Sequence, residues 1–172
     1  MFKPSHEQPR VEPVIGIIVV SDSRFRKYLE EGSYEDESGS LAAGLLRDVG
    51  RVYSPVLVPN NRDYLRGAVA VLQSMGANVV VTIGGTGVGR RDLTADVVSE
   101  MCTKDVEGFG ETFRRRSEAS LGPHAMMSRA CACVLGDSAI AFCLPGSPDA
   151  VKLAVNELIK PVLGHLLGEL AR

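Results

Sequence analysis

An apolar run near the N-terminus, Val14–Val20, places the strongest limit on the fold of this 172-residue chain. The run is rich in β-branched residues and ends in Ser21-Asp22-Ser23. A continuous apolar run of this length is typical of a strand that is buried on both faces. It therefore predicts the first strand of an α/β domain, with polar residues at its carboxyl end.

Strand and helix patterns alternate after this run. A charged, Gly-containing loop is expected at residues 24–32, and Ser38 is expected to cap a helix whose apolar residues reach Val49. The further predicted strands are residues 52–58, 78–83, 129–135 and 139–144, and the further predicted helices are residues 63–75, 93–101 and 149–170. Pro161 is expected to kink or split the last helix. The pattern predicts a mostly parallel sheet with an antiparallel edge hairpin.

Charge and hydropathy limit the classes of partner. The chain has 19 basic and 21 acidic residues and a formal net charge of −2, so a broad positive surface for nucleic acid or an anionic membrane is not expected. No run approaches the ~20 apolar residues of a membrane-spanning helix. Residues 1–13 are polar and are expected to form a flexible tail without a signal peptide, before a single domain at residues 14–172. We expect a cytoplasmic location.

The four cysteines do not have the spacing of a zinc or redox motif. Cys131 and Cys133 lie two apart in a predicted strand, so both are expected on one face as small buried hydrophobes. A disulfide to Cys143 is an alternative that the sequence leaves open.

A glycine-rich segment follows the strand predicted at 78–83. Gly84, Gly85 and Gly87 allow backbone N–H groups to approach an anion, and the next helix adds its positive N-terminal end. The segment is neither a Walker A loop nor a dinucleotide fingerprint, since Arg90 stands where the third glycine of that fingerprint would be. A phosphate or pterin cradle and a simple tight turn are both compatible with it.

Charged residues follow these glycines. Arg90 and Arg91 have the chemistry to pair with phosphate oxygens, and Asp92 can bind a Mg²⁺ ion that bridges those phosphates. The alternative is that Asp92 caps the following helix and the arginines are solvated. Because ligands of open α/β sheets bind at the carboxyl ends of the strands, this segment is a candidate site.

Other strand ends carry polar or turn residues with two possible roles. Ser21 and Ser23 are suited to donate hydrogen bonds to a ligand, or to form a turn or helix cap. Pro145-Gly146-Ser147-Pro148 can form a pocket wall or a purely structural turn. The three histidines show no spacing for a metal site or a nucleophile pair.

Together these motifs resemble the MoaB/Mog family of molybdenum-cofactor biosynthesis proteins, and the match covers most of the chain. The matching motifs are Val19-Val20-Ser21-Asp22-Ser23, Asp36-Glu37-Ser38-Gly39, Val81-Thr82-Ile83-Gly84-Gly85-Thr86-Gly87, Arg91-Asp92-Leu93-Thr94, Gly108-Phe109-Gly110-Glu111, Ser128-Arg129 and Leu144-Pro145-Gly146-Ser147-Pro148. The resemblance implies a three-layer α/β/α domain that assembles as a trimer or hexamer.

The resemblance also implies an activity, the adenylylation of molybdopterin by Mg-ATP with release of pyrophosphate. It implies Mg²⁺ as cofactor, ATP and molybdopterin as substrates, and a molybdenum insertase as a further partner. Asp92 matches the catalytic, metal-binding carboxylate of the family. The implied substrate-binding residues are Ser21, Asp22, Ser23, Gly84, Gly85, Thr86, Gly87, Arg91, Thr94, Ser128, Pro145, Gly146 and Ser147.

The chain departs from the family pattern after the second predicted strand. The family has Pro-Asp there and this chain has Pro59-Asn60, so a catalytic carboxylate is replaced by a neutral amide. An amide oxygen can contact a hard cation but contributes no charge. Asp63, in the same loop, is a candidate substitute for this carboxylate. A second departure is Ala95, where the family commonly has Pro. A catalytically weak pterin-binding or scaffold protein is therefore the main alternative, and a hydrolase of the competence-damage type is a third.

Overall fold

The computed structural model describes residues 10–172, and its sheet confirms the predicted fold class. The strands are β1 (Val14–Val20), β2 (Arg51–Val52), β3 (Val56–Val58), β4 (Val79–Ile83), β5 (Cys102–Asp105), β6 (Cys131–Leu135) and β7 (Ala139–Leu144). Their order is β2-β1-β4-β7-β6-β5, with β3 also paired to β1. The pairings among β1, β2, β3, β4 and β7 are parallel, whereas β6 is antiparallel to both β7 and β5.

Helices cover both faces of this sheet and complete the three layers. They are α1 (Asp22–Glu31), α2 (Glu37–Leu46), α3 (Arg62–Ser74), α4 (Thr94–Ser99), α5 (Glu107–Leu121), α6 (Pro148–Leu153) and α7 (Lys160–Leu170), with a 3₁₀ segment at Gly122–Met127 and a π-helical segment at Ala154–Ile159. One core lies between the sheet and α2, α5, α6 and α7, and the other lies between the sheet and α3 and α4. β4 is buried along its whole length because it has helices on both sides.

The segment expected as a charged loop at residues 24–32 is helix α1. The Ser21 hydroxyl caps this helix by accepting a hydrogen bond from the Arg24 N–H, and Gly32 ends it in a left-handed conformation with φ of 72°. None of the helical residues is buried. Its apolar residues Phe25, Tyr28 and Leu29 do recur at helical spacing, but the surrounding charged residues favoured a loop in the sequence prediction.

Two further local predictions need correction. The cap of α2 is Asp36, whose carboxylate accepts from the Gly39 N–H at 2.9 Å, and Ser38 lies inside the helix instead. The strand predicted at 52–58 is divided into β2 and β3, with Pro55 between them. Proline has no N–H to donate to a strand ladder, which accounts for the interruption.

The long C-terminal helix is divided as expected near Pro161. The π-helical segment ends one residue before Lys160 and Pro161, which begin α7. Proline removes a backbone hydrogen bond and its ring crowds the preceding turn, and a wider turn relieves that crowding.

The cysteines also differ from expectation. Cys133 forms a disulfide with Cys102 on the neighbouring strand β5, whereas Cys131 and Cys143 are free. Cys131 and Cys133 do face the same core. The sequence does not predict β5, so it offers no reason to place Cys102 beside β6.

Part of the predicted N-terminal tail lies outside the described residues. Within the described part, the Glu12 and Pro13 carbonyls accept hydrogen bonds from the Asn78 side chain and the Arg51 N–H, each at 2.9 Å. These contacts attach residues 12 and 13 to the sheet. Across residues 10–172, no helix combines the length and apolar character that a membrane crossing requires.

Candidate functional site

The predicted site residues meet at one edge of the sheet. The parallel strands β1, β3, β4 and β7 end there, and antiparallel β6 begins there. Backbone hydrogen bonds fasten the loops together: the Ser21 N–H donates to Val58 O at 2.9 Å, and the Arg129 N–H donates to Thr86 O at 2.8 Å. This edge is where ligands of open α/β sheets bind.

The glycine-rich loop has a conformation and a packing that require glycine. Gly84 and Gly85 have φ angles of 102° and 66°, in the left-handed region that side-chain-bearing residues rarely adopt. A Cβ on Gly84 would stand 2.4 Å from Val20 O, and one on Gly85 would stand 2.3 Å from Thr94 Oγ1. The loop is therefore held tightly against β1 and the start of α4.

A cavity of about 650 Å³, the large cavity, opens beside this loop. Predicted residues that line it are Gly85, Thr86, Gly87, Asp92, Ser128, Pro145, Gly146 and Ser147. Helix α5 adds Phe113, Ser117 and Ser120, which the sequence analysis missed. Serines three apart share a helix face, but no helix was expected in this part of the chain.

Asp92 lies at the large cavity and does not cap the following helix. Its Oδ2 accepts from the Gly89 N–H at 2.9 Å, while the cap position of α4 is Leu93 and has no side-chain cap bond. A Cβ on Gly87 would stand 2.6 Å from the same Oδ2. Its Oδ1 makes no hydrogen bond or ion pair to residues 10–172. The carboxylate is thus positioned by the loop backbone and keeps one oxygen for a ligand.

A second cavity of about 520 Å³, the small cavity, lies next to Arg91. It is lined by Asp22, Asn60 and Arg91, among others. The Asp22 Oδ1 accepts from the Asn60 N–H at 2.8 Å, and its Oδ2 lies 3.5 Å from an Arg91 guanidinium nitrogen. Arg91 is 80% exposed, so this ion pair holds it weakly.

Two buried oxygen atoms beside Gly85 have no hydrogen-bond partner among the described residues. They are Asn60 Oδ1 and Thr94 Oγ1. Both lie within 2.5 Å of the position that a Gly85 Cβ would occupy. A buried polar atom without a partner is rare in proteins and indicates a place for a ligand, ion or water.

Ser38 supports the turn at Gly146, a role that the sequence analysis did not assign. Its buried hydroxyl donates to Gly146 O at 2.8 Å. A Cβ on Gly146 would lie 3.5 Å from Gly84 Cα, so the turn packs against the glycine-rich loop. The motif Asp36-Glu37-Ser38-Gly39 was the signal in the sequence, although it did not reveal this contact.

The remaining predicted residues have structural partners. Ser21 caps α1 and its hydroxyl lies 3.3 Å from that of Ser23, while Ser147 caps α6 by accepting from the Ala150 N–H. Thr94 begins α4 and its N–H donates to Gly85 O at 2.9 Å. Ser21, Ser23, Gly84 and Thr94 do not line either cavity.

An ion pair supports the segment that enters β6. The Arg129 guanidinium binds the Asp96 carboxylate of α4 through both of its terminal nitrogens. Hydrogen bonding to Arg129 holds the pKa of Asp96 below its usual range, and the same bond raises the pKa of Arg129. The ion pair holds Arg129 in place, and the backbone N–H of Arg129 donates to Thr86 O in the glycine-rich loop.

Comparison with known proteins places this arrangement in a family. Residues 16–165 match the family model described as a probable molybdopterin binding domain. The chain is 35% identical to molybdenum cofactor biosynthesis protein B of Staphylococcus carnosus, in an alignment of 178 positions that covers 100% of both proteins. It is 39% identical to the protein of that name from Bacillus cereus, over 91% of this chain and 89% of that one.

A solved structure agrees with this match. The tungsten cofactor synthesizing protein MoaB from Pyrococcus furiosus is 34% identical and superposes with a TM-score of 0.83, covering 94% of this chain and 98% of that one. With the family model, the curated relatives and this structural neighbour in agreement, the chain belongs to the MoaB/Mog family of probable molybdopterin-binding domains.

Proposed function

We propose that this protein acts in molybdenum cofactor biosynthesis as a molybdopterin adenylyltransferase, which transfers the adenylyl group of Mg-ATP to the terminal phosphate of molybdopterin. The family membership supports the pterin substrate. The adenylyl transfer rests on the arrangement of the site.

The observation that carries the proposal is that sequence neighbours Arg91 and Asp92 line different cavities. A transfer between two substrates requires two binding sites that meet at the reacting atoms. One segment here contributes a cation to the small cavity and a carboxylate to the large cavity. The arrangement is suited to bringing two phosphorylated molecules together.

We assign molybdopterin to the large cavity and the nucleotide to the small cavity. The large cavity has the volume and the mixture of apolar and hydroxyl-bearing side chains that suit a small organic ligand, with Phe113 beside Ser117 and Ser128. The backbone of Gly85-Thr86-Gly87 is the place for its phosphate. In the small cavity Arg91 is suited to pair with nucleotide phosphates.

Asp92 and Asn60 have side-chain oxygens that fit a magnesium ion bound to substrate phosphates. Mg²⁺ takes oxygen ligands, usually one or two carboxylates, with substrate phosphates and waters completing its shell. Asp92 Oδ1 and the unpartnered Asn60 Oδ1 are such oxygens. Within residues 10–172, no group of three or more His, Cys, Asp or Glu side chains is placed to hold a metal by itself. When bound, the ion would neutralise phosphate charge.

The chemistry places few demands on protein side chains. An oxygen of the molybdopterin phosphate attacks the α-phosphorus of ATP, a phosphorus–oxygen bond forms, and the bond to pyrophosphate breaks. The attacking group is already an anion, so the reaction needs positioning and charge stabilisation instead of a protein nucleophile. Here the loop N–H groups orient one phosphate and Arg91 orients the other.

The deciding experiment supplies the purified protein with molybdopterin, ATP and Mg²⁺ and measures adenylylated molybdopterin by mass spectrometry. We expect product that depends on both ATP and Mg²⁺. Tight pterin binding without product would instead support the scaffold alternative, which Asn60 favours because it lacks the charge of the family's carboxylate. The trimer or hexamer and the insertase partner remain predictions.

A further inference from the structure

Cys131 and Cys143 face each other across the β6–β7 hairpin. They are register partners in this antiparallel pair, and both thiols are free. Directly opposed residues of antiparallel strands have Cα atoms about 4.5 or 5.5 Å apart, within the range that a disulfide spans. The pair therefore has suitable backbone spacing for a disulfide.

The two thiols differ in access to solvent. Cys143 is fully buried, with no exposed surface. Cys131 is partly exposed and lines a third cavity of about 570 Å³, which also contains Arg114 and Arg129. A reagent from solvent can therefore reach Cys131, whereas Cys143 is shielded from it.

The two thiols also differ in acidity. Hydrogen bonding between the two thiols lowers the pKa of Cys131 and raises that of Cys143. Arg129 and Arg114 lower the pKa of Cys131 further, while burial and Asp105 oppose them. The same cavity contains Glu107 and Glu111. Since the thiolate is the reactive form, Cys131 is the nucleophile of the pair.

We propose that Cys131 and Cys143 form a redox-active dithiol that reacts with small-molecule disulfides. The Cys131 thiolate attacks one sulfur of the reagent, whose S–S bond breaks and releases one thiol. Cys143 then loses its proton and attacks the Cys131 sulfur, which releases the second thiol. The protein loses two protons and two electrons, and the reagent gains them.

The position of this pair connects it with the candidate site. Ser128 and Arg129 lie just before Cys131, and Pro145 and Gly146 lie just after Cys143. The disulfide would link the two strands at the edge where they contribute residues to the large cavity.

The test treats the full chain with oxidised glutathione and maps its thiols by trypsin digestion and mass spectrometry. The peptide of residues 130–152 contains Cys131, Cys133 and Cys143, and the Cys102–Cys133 disulfide joins it to the peptide of residues 92–104. We expect the mass of the joined peptides to be lower by two hydrogens. Cys131 and Cys143 should resist alkylation when the treated protein is unfolded. Wild-type protein whose Cys131 and Cys143 both stay alkylatable in excess oxidised glutathione would overturn the proposal.

Two variants assign the order of attack. Cys143→Ala is expected to stop at a mixed disulfide, with one glutathione on Cys131, because the resolving thiol is absent. Cys131→Ser is expected to take up no glutathione at Cys143. A Cys131→Ser variant that keeps the native circular dichroism spectrum but takes up glutathione at Cys143, as fast as the wild-type protein is oxidised, would contradict the assigned order. The wild-type measurement decides the proposal even if a variant does not fold.

Discussion

The Asp92 carboxylate lies against Gly87, with its Oδ2 atom 2.6 Å from the position of a Gly87 Cβ. The φ angle of Gly87 is outside the left-handed region, so an added methyl group tests space alone. We expect Gly87→Ala to displace Asp92 and to lower adenylyl transfer by roughly ten- to a hundredfold. Gly44→Ala is the matched control, since its Cβ would meet nothing within 4 Å. Equal activity of both variants would show that the Asp92 position does not matter.

Asp92→Asn tests the charge of this residue separately from its shape. The amide oxygen can still accept from the Gly89 N–H, as Oδ2 does now. We expect a loss of roughly a hundredfold or more in the rate of adenylyl transfer, because phosphate charge is no longer balanced. Asp137→Asn in the hairpin turn removes the same charge far from the site and should retain activity. A fully active Asp92→Asn protein would rule out the assigned metal-binding role.

Asn60→Asp restores the carboxylate that the family has at this position. Asn60 lines the small cavity, and its Oδ1 is buried without a partner next to Gly85, which lines the large cavity. We expect the Mg²⁺ concentration for half-maximal rate to fall roughly tenfold. Asn61→Asp adds the same charge one residue away while an acceptor remains available to cap α3. If both variants behave alike, or if Asn60→Asp loses activity, the missing carboxylate does not limit Mg²⁺ binding, and the loop is adapted to an amide at residue 60.

Ser38→Ala tests the support of the Gly146 turn. The change removes the hydrogen bond to Gly146 O and leaves that carbonyl without its Ser38 donor. We expect a loss of about 1 kcal/mol in the free energy of unfolding and a higher KM for molybdopterin. Ser40→Ala, on the exposed side of α2, is the control for changes in helix propensity. An unchanged KM in a less stable Ser38→Ala protein would limit Ser38 to a structural role.

The Asp96–Arg129 ion pair predicts a small pH dependence of stability. Because the pKa of Asp96 is lowered in the folded protein, its contribution is full above the unfolded value of about 3.9 and is lost as pH falls through the lower folded value. Both side chains are more than a third exposed, so the contribution is about 0–1 kcal/mol. Urea unfolding should show Asp96→Asn to be less stable at pH 7 and equal to wild type in strong acid. A difference that persists in acid would indicate another cause.

The local sequence pattern was sufficient to predict a strand or helix where the burial of its residues follows a regular pattern along its length. β1 and β4 are covered by helices on both faces, so their apolar runs indicated strands directly. Helix α3 has one buried face, and its apolar spacing showed this. Helix α1 was missed although Phe25, Tyr28 and Leu29 recur at helical spacing, because its charged residues were interpreted as a loop. Helix α5 was also missed, and it follows the strand β5 that the sequence does not predict.

The sequence by itself determined the class of the sheet and the residues at its strand ends, because strand periodicity and glycine content are local properties. Tertiary structure alone decided which of these residues share a cavity. Arg91 and Asp92 are adjacent in sequence yet line different cavities, and Ser38 reaches Gly146 across 108 residues. The same holds for Cys133, which pairs with Cys102. Such contacts depend on strand order and packing between layers, which a pattern along one segment does not encode.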